Sequence, residues 1–208
     1  MRLLGLDEAG RGCVLGPLVV RGFLFEDAND APLQAAGAAD SKALSKKRRE
    51  SAKTKLTPLG TPVLRFVTAR QIDAENINTL EEKAFASIIA EARPDKVIID
   101  APVHPRGIPA FIKRLHGRLS ELRVPLPEIV AEPKADANYP VVGAASIFAK
   151  VARDAEIEAL GPVGSGYPSD PVTRKWISGF LARNEPFPSC VRTRWGTIDA
   201  LRQATLFG

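Results

Sequence analysis

Two short apolar runs, Leu3-Leu4-Gly5-Leu6 and Val97-Ile98-Ile99, each lead into a carboxylate: Asp7 after the first and Asp100 after the second. Runs of this kind read as buried strands. An acidic side chain at the tip of a buried strand is unfavourable unless a cation or hydrogen bonds compensate it. In open α/β sheets, sites form outside the carboxyl ends of the strands. If these two strands are parallel neighbours, their carboxylates converge. Glu8 stands beside Asp7, and the pair runs into Ala9-Gly10-Arg11-Gly12. Two of those last three residues have no side chain, so the backbone N–H groups there can approach a ligand closely. Successive strand side chains face opposite ways, so Asp7 and Glu8 can serve one site only because the strand reads as ending there.

The remaining pattern alternates strands with helices, which implies an α/β sheet. Residues 15–25 and 63–68 are further strand candidates and read with the first as antiparallel, making the sheet mixed. Thr79-Leu80-Glu81-Glu82 has the form of a capping box opening a helix that Pro94 closes. Residues 109–120 form a second helix, 128–131 a last strand, and Pro140 opens a long alanine-rich helix to about residue 160. Asp136 falls in the loop before that helix. From Gly161 the chain becomes turn-rich, with short helices from Pro171 and about Thr197. Residues 1–160 therefore read as one catalytic domain. Residues 161–208 read as a small helical extension packed on it, not independent, with Trp176 and Trp195 as anchors.

A chain of 208 residues can bury a core without disulfides or structural metals. Its two cysteines, Cys13 and Cys190, lack zinc spacing and read as reduced cytosolic thiols. No signal peptide or membrane-length apolar run is visible. The formal charge of +5 favours a polyanionic partner. His104 and His116, the only histidines, read as ordinary surface residues, so no Ser/His/Asp set competes with the acidic residues. Oxygen-only ligands select a hard cation such as Mg²⁺ or Mn²⁺. Carboxylates clustered on two such ions suit in-line phosphoryl displacement.

Asp7-Glu8-Ala9-Gly10-Arg11-Gly12 with Gly16-Pro17 resembles the opening of the ribonuclease HII family. Asp40-Ser41-Lys42, Ile99-Asp100, Lys134-Ala135-Asp136, residues 144–151, Arg153-Asp154 and Gly166-Tyr167-Pro168-Ser169-Asp170 follow in that family's order. The last motifs are closer in form to the archaeal and eukaryotic branch. Cys13 stands where the family commonly has proline, and Gly143 where it commonly has serine.

The resemblance implies a ribonuclease H-like fold, with Asp7, Glu8, Asp100 and Asp136 as metal-binding catalytic carboxylates. It implies hydrolysis of the RNA strand of RNA–DNA hybrids and incision on the 5′ side of ribonucleotides embedded in duplex DNA, leaving 3′-hydroxyl and 5′-phosphate ends. Gly10, Arg11, Gly12 and Tyr167 match the residues that detect the 2′-hydroxyl, the group that separates RNA from DNA. Lys42, and the basic residues around the helix cap Ser45, are candidates for phosphate contacts. Ser146 and Lys150, four apart on one helical face, are candidates for reaching the nucleic-acid backbone near Asp136. Gln203-Ala204-Thr205-Leu206-Phe207 resembles a sliding-clamp interaction box. A cytoplasmic monomer is expected. Two rival readings are a catalytically idle module that binds hybrids or tethers a clamp, and a metal nuclease of the same fold acting on DNA alone.

Overall fold

The computed structural model describes residues 1–27, 29–38 and 44–207, with side chains through residue 204. A five-stranded mixed sheet forms its centre, in the order β3-β2-β1-β4-β5. These strands are β1 (Leu3–Ala9), β2 (Leu18–Phe25), β3 (Thr61–Val67), β4 (Lys96–Asp100) and β5 (Glu128–Glu132). β1 pairs antiparallel with β2, and β2 with β3, whereas β4 runs parallel to both β1 and β5. The mixed sheet expected from the sequence is therefore present, with β1 at the centre.

Alternation along β1 divides the molecule into two layers. Leu4 and Leu6 pack with Val97, Ile99, Phe85, Ile88 and Phe111 on one face. That face is covered by α4 (Ile77–Ala92) and α5 (Ile108–Glu121). On the other face lies α7 (Pro140–Glu158), with α1 (Ala31–Ala35) and α2 (Lys46–Leu56) beside it. Gly5 is what lets α7 come so near: a Cβ there would lie 2.3 Å from the Val141 carbonyl oxygen. The α7 N-terminus thus rests on β1 two residues before Asp7.

The extension contributes α8 (Pro171–Ala182) and α9 (Gly196–Phe207). Ile177, Val191, Ile198 and Leu201 form a third apolar cluster with Val14, Leu15 and Ile157 of the preceding chain, and Trp176 and Trp195 pack against it.

Three short helices differ from the sequence reading: α1, α3 (Ala69–Ala74) and α6 (Ala135–Asn138). Each is too brief to show a helical repeat. The reading also misplaced a cap. Asn76 starts α4, its side chain accepting the Asn78 N–H at 2.9 Å, so Thr79-Leu80-Glu81-Glu82 lies inside the helix. The capping box belongs instead to α3, between Thr68 and Gln71. Among the described residues, no helix is long and apolar enough to cross a membrane.

Candidate active site

The parallel register of β1 and β4 brings the first two carboxylates together. Leu6 lies opposite Ile99, and Asp7 and Asp100 follow one residue later. Asp7 shares its strand face with Gly5, and Asp100 shares its face with Ile98, so both turn towards α7. Asp136 reaches the same place from α6. One oxygen from each of Asp7, Asp100 and Asp136 lies within 4.8 Å of the others. Side chains hold the turn that carries Asp136. Asn138 Nδ2 donates to Glu132 Oε1 at 2.8 Å and the Tyr139 hydroxyl to Oε2 at 3.3 Å. The Ala135 N–H donates to Asp100 Oδ1 at 3.1 Å, tying α6 to β4.

Burial raises the Asp7 carboxyl to about 7, and the negative charge of Asp100 adds to the effect. The Ser146 hydroxyl and the Glu8 N–H oppose that rise by donating to the Asp7 carboxylate. Lys150 Nζ donates to Ser146 Oγ at 3.1 Å and contributes its charge. Ser146 is fully buried. It is turned to Asp7, whereas the sequence reading sent it towards the nucleic-acid backbone.

Glu8 follows a different course from the one expected. β1 does not end at Asp7 and Glu8 but continues to Ala9, with Asp7 opposite Arg21 and Glu8 opposite Val20. Alternation therefore sends Glu8 to the α4 face, outside the three-aspartate group. There it meets Glu81, whose charge, after desolvation, pushes the Glu8 carboxyl well up. Glu81 in turn pairs with Arg11 Nη1, while Arg11 Nη2 donates to Asn78 Oδ1. The Arg11 side chain is thus engaged by α4, and what the Gly-Arg-Gly turn presents is its backbone. Gly10 adopts φ +84, and Gly12 is open, with nothing within 4 Å of a notional Cβ. The left-handed value at Gly10 is one that residues with a Cβ rarely adopt.

A cleft of about 310 Å³ lies in front of this turn, lined by Glu8, Gly10–Gly12, Arg49, Lys150, Arg153 and Tyr167. Its cations are held in place. Asp154 binds Arg49 Nη2 at 2.8 Å and Arg153 Nη2 at 3.1 Å. The Arg153 guanidinium sits 5.0 Å from the centre of the Tyr167 ring, and its Nη1 donates to the Ser165 carbonyl at 3.0 Å. The loop carrying Tyr167 is fixed by Asp170, which accepts from the N–H groups of Ser165 and Val172. Those bonds hold the Asp170 carboxyl down at about 2.

Of the basic residues around Ser45, Arg49 lines the cleft, whereas Lys46 pairs with Glu158. Lys42, with Asp40 and Ser41, lies outside the described residues. The sequence reading passed over Glu81, Asn78, Glu132 and Arg192. The side-chain hydrogen-bond partners of Glu81, Asn78 and Arg192 lie 67 to 182 residues away, and those of Glu132 are local.

Residues 4–198 match the profile of the family described as Ribonuclease HII. The chain belongs to the ribonuclease HII family. It is 41% identical to the ribonuclease HII of Archaeoglobus fulgidus over 210 residues, 97% of each chain. A crystal structure of the ribonuclease H2 from Pyrococcus horikoshii superposes with a TM-score of 0.88 at 36% identity, covering 100% of both chains. The ribonuclease HII in a PCNA:RNase HII complex from Archaeoglobus fulgidus gives 0.84 at 38% identity over 97% of each. The archaeal affinity expected from the motifs is met. So is the ribonuclease H-like fold. As a ribonuclease HII, the protein is a metal-dependent endonuclease with ribonuclease H activity on nucleic acid.

Proposed function

We propose that this ribonuclease HII cuts on the 5′ side of ribonucleotides embedded in duplex DNA as well as in RNA–DNA hybrids, leaving 3′-hydroxyl and 5′-phosphate ends. The observation that carries the reading is the position of three converging aspartates next to a glycine-flanked turn, Gly10-Arg11-Gly12, with a left-handed Gly10 and open space at Gly12. Asp7, Asp100 and Asp136 provide hard, anionic oxygens only, the donor set that suits Mg²⁺ or Mn²⁺. Glu8, which the continuation of β1 turns to the α4 face, is assigned to this centre as the fourth carboxylate, in a set that would hold two ions. Bound there, the metal supplies activation of water and stabilisation of charge on the leaving 3′ oxygen.

The remaining chemistry belongs to the chain. The Ser146 hydroxyl and the Glu8 N–H orient Asp7, and the Ala135 N–H orients Asp100. The backbone of Gly10, Arg11 and Gly12 takes the 2′-hydroxyl. Tyr167 packs on the adjoining sugar, with Arg153 behind its ring. Arg49, Lys150 and Arg153 receive phosphates along the cleft, and Lys42 extends that track. Residues 161–208 act as part of this one unit and not as a separate domain. Gln203 and Ala204 are exposed on the last turns of α9, a placement that suits contact with a sliding clamp. We assign the protein to the cytoplasm as a monomer.

The test is incubation with a DNA duplex carrying one ribonucleotide, with Mg²⁺ and with chelator. One cut 5′ of the ribonucleotide, abolished by chelator, is expected. Cutting elsewhere, or in chelator, overturns the reading.

A further inference from the structure

Arg192 lies between α8 and α9 and has no exposed surface. Its guanidinium is bonded to main-chain oxygens of the loop after β1. Nε donates to Gly16 O at 3.0 Å, Nη1 to Arg11 O at 2.9 Å and Nη2 to Gly10 O at 2.7 Å. Its own N–H donates to Val14 O at 2.9 Å, and the Trp195 ring lies 5.2 Å from the guanidinium carbon. Asp73 on α3 anchors the next residues, accepting from Thr193 N and Oγ1 at 2.8 Å and from Arg194 N at 3.1 Å.

A buried cation held by carbonyls is a poor way to stabilise a fold. Apolar residues of similar volume commonly replace buried charges with no loss of stability. The arrangement makes sense through what the carbonyls belong to. In a trans peptide the C=O and the N–H of the same unit point in opposite directions. Holding Gly10 O and Arg11 O on the Arg192 side therefore points the Arg11 and Gly12 N–H groups the other way. The planar fork of arginine carries its donors on three separate nitrogens, one for each carbonyl here, whereas the three donors of lysine diverge from a single atom.

We infer that Arg192 is a positioning residue for ribose recognition: it sets the two peptide planes that aim the Arg11 and Gly12 N–H groups at the 2′-hydroxyl. The C-terminal segment thereby takes part in substrate discrimination without touching the substrate. The inference rests on the reading of the Gly-Arg-Gly turn given under Proposed function.

The test is the preference for a ribonucleotide, measured by binding in EDTA so that no strand is cut. Fluorescence anisotropy gives the affinity for a duplex with one ribonucleotide and for the same duplex in all-DNA form. Arg192→Lys is expected to lose about three- to tenfold of the preference, the worth of one neutral hydrogen bond, with all-DNA affinity unchanged. A general structural defect would weaken both duplexes alike and leave their ratio intact. Asp73→Ala loosens Thr193 and Arg194 while keeping the buried cation, and is expected to lose part of the same preference. If circular dichroism shows Arg192→Lys unfolded, Asp73→Ala decides alone. Wild-type preference in either folded variant overturns the role of Arg192. No preference in the wild type overturns the reading of the turn itself, and the inference with it.

Discussion

Arg11 and Glu81 join the loop after β1 to helix α4 by an ion pair in which the arginine side chain is 30% exposed and the carboxylate 1%. The pair is unbalanced by its surroundings. Burial raises Glu81 to about 7 even with the arginine opposing the shift. Glu81 also raises Glu8. One carboxylate thus secures the Gly-Arg-Gly turn and at the same time burdens its acidic neighbour.

Replacing Glu81 with glutamine separates these two effects. Glutamine keeps an acceptor for Arg11 and removes the negative charge. A carboxyl raised from 4.5 to about 7 on folding weakens the fold progressively as pH rises through that window. Glu81→Gln should therefore stabilise the metal-free protein by on the order of 1–2 kcal/mol at pH 8. At pH 5, where the folded carboxyl is already protonated, it should do little. Chemical denaturation at the two pH values decides, and an equal effect at both would show that Glu81 acts through packing.

Asp100→Asn should abolish turnover while leaving the fold intact. Asparagine retains the oxygen that accepts the Ala135 N–H and loses the charge that raises Asp7. The variant should bind a hybrid duplex nearly as well as the wild type. Turnover near the wild-type level at saturating Mg²⁺ would remove Asp100 from the centre.

Much of this was legible in the sequence, and the failures share a cause. Apolar runs ending on Asp7 and Asp100 located the sheet and two of the three converging carboxylates, because strand burial is a local property. The alternation that separates Asp7 from Glu8 is legible in the sequence, but the continuation of the strand to Ala9 is not, since Ala9 is as compatible with a turn as with a strand. Arg192 and Glu81 were passed over for a different reason. An arginine in a Pro-rich segment and a glutamate in a helix are most often solvated. Only the long-range fold puts one under the Gly10 carbonyl and the other beside Arg11.

Metal should matter more to stability at alkaline than at acidic pH. The Asp7 carboxyl stands at about 7 in the folded protein against 3.8 in its ordinary state. Folding takes up a proton between those values, so this group's contribution to stability falls as pH rises from about 4 to 7. A bound cation requires the carboxylate and relieves the repulsion. The melting temperature of the metal-free protein should accordingly drop from pH 5 to pH 8. Added Mn²⁺ should raise it by more at pH 8. A metal-induced rise that is the same at both pH values would contradict the assignment of Asp7 as a ligand.

Removing Gln203 to Gly208 should leave cleavage of free duplexes unchanged. Leu201 is the last buried residue described in α9, and Arg202, Gln203 and Ala204 are exposed. Binding to a sliding clamp should disappear in a pull-down with the purified clamp. Equal binding by both chains, or none by the full-length chain, would reject the tail as a clamp contact.

Tyr167 provides the sharpest test of how the site reads a junction. Its ring is backed by the Arg153 guanidinium at 5.0 Å, and the arginine is itself tied to Asp154 and to the Ser165 carbonyl. The ring is thus held as a flat surface at the edge of the cleft, suited to packing on the sugar next to the ribonucleotide. DNA with a single ribonucleotide offers one 2′-hydroxyl and one productive register, so a displaced sugar cannot be replaced by the next one along. Misplacement by about 1 Å can reduce a rate on the order of a hundredfold. Tyr167→Ala should therefore lose activity on that substrate by about this factor, and much less on a long RNA–DNA hybrid with many registers. Tyr167→Phe keeps the ring, loses only the hydroxyl's contact with Cys13, and should be mild on both. Cleavage of the two substrates by wild type and both variants decides the matter. Equal losses on the two substrates, or a phenylalanine variant as poor as the alanine one, would assign the ring a structural role in the loop and no part in sensing the junction.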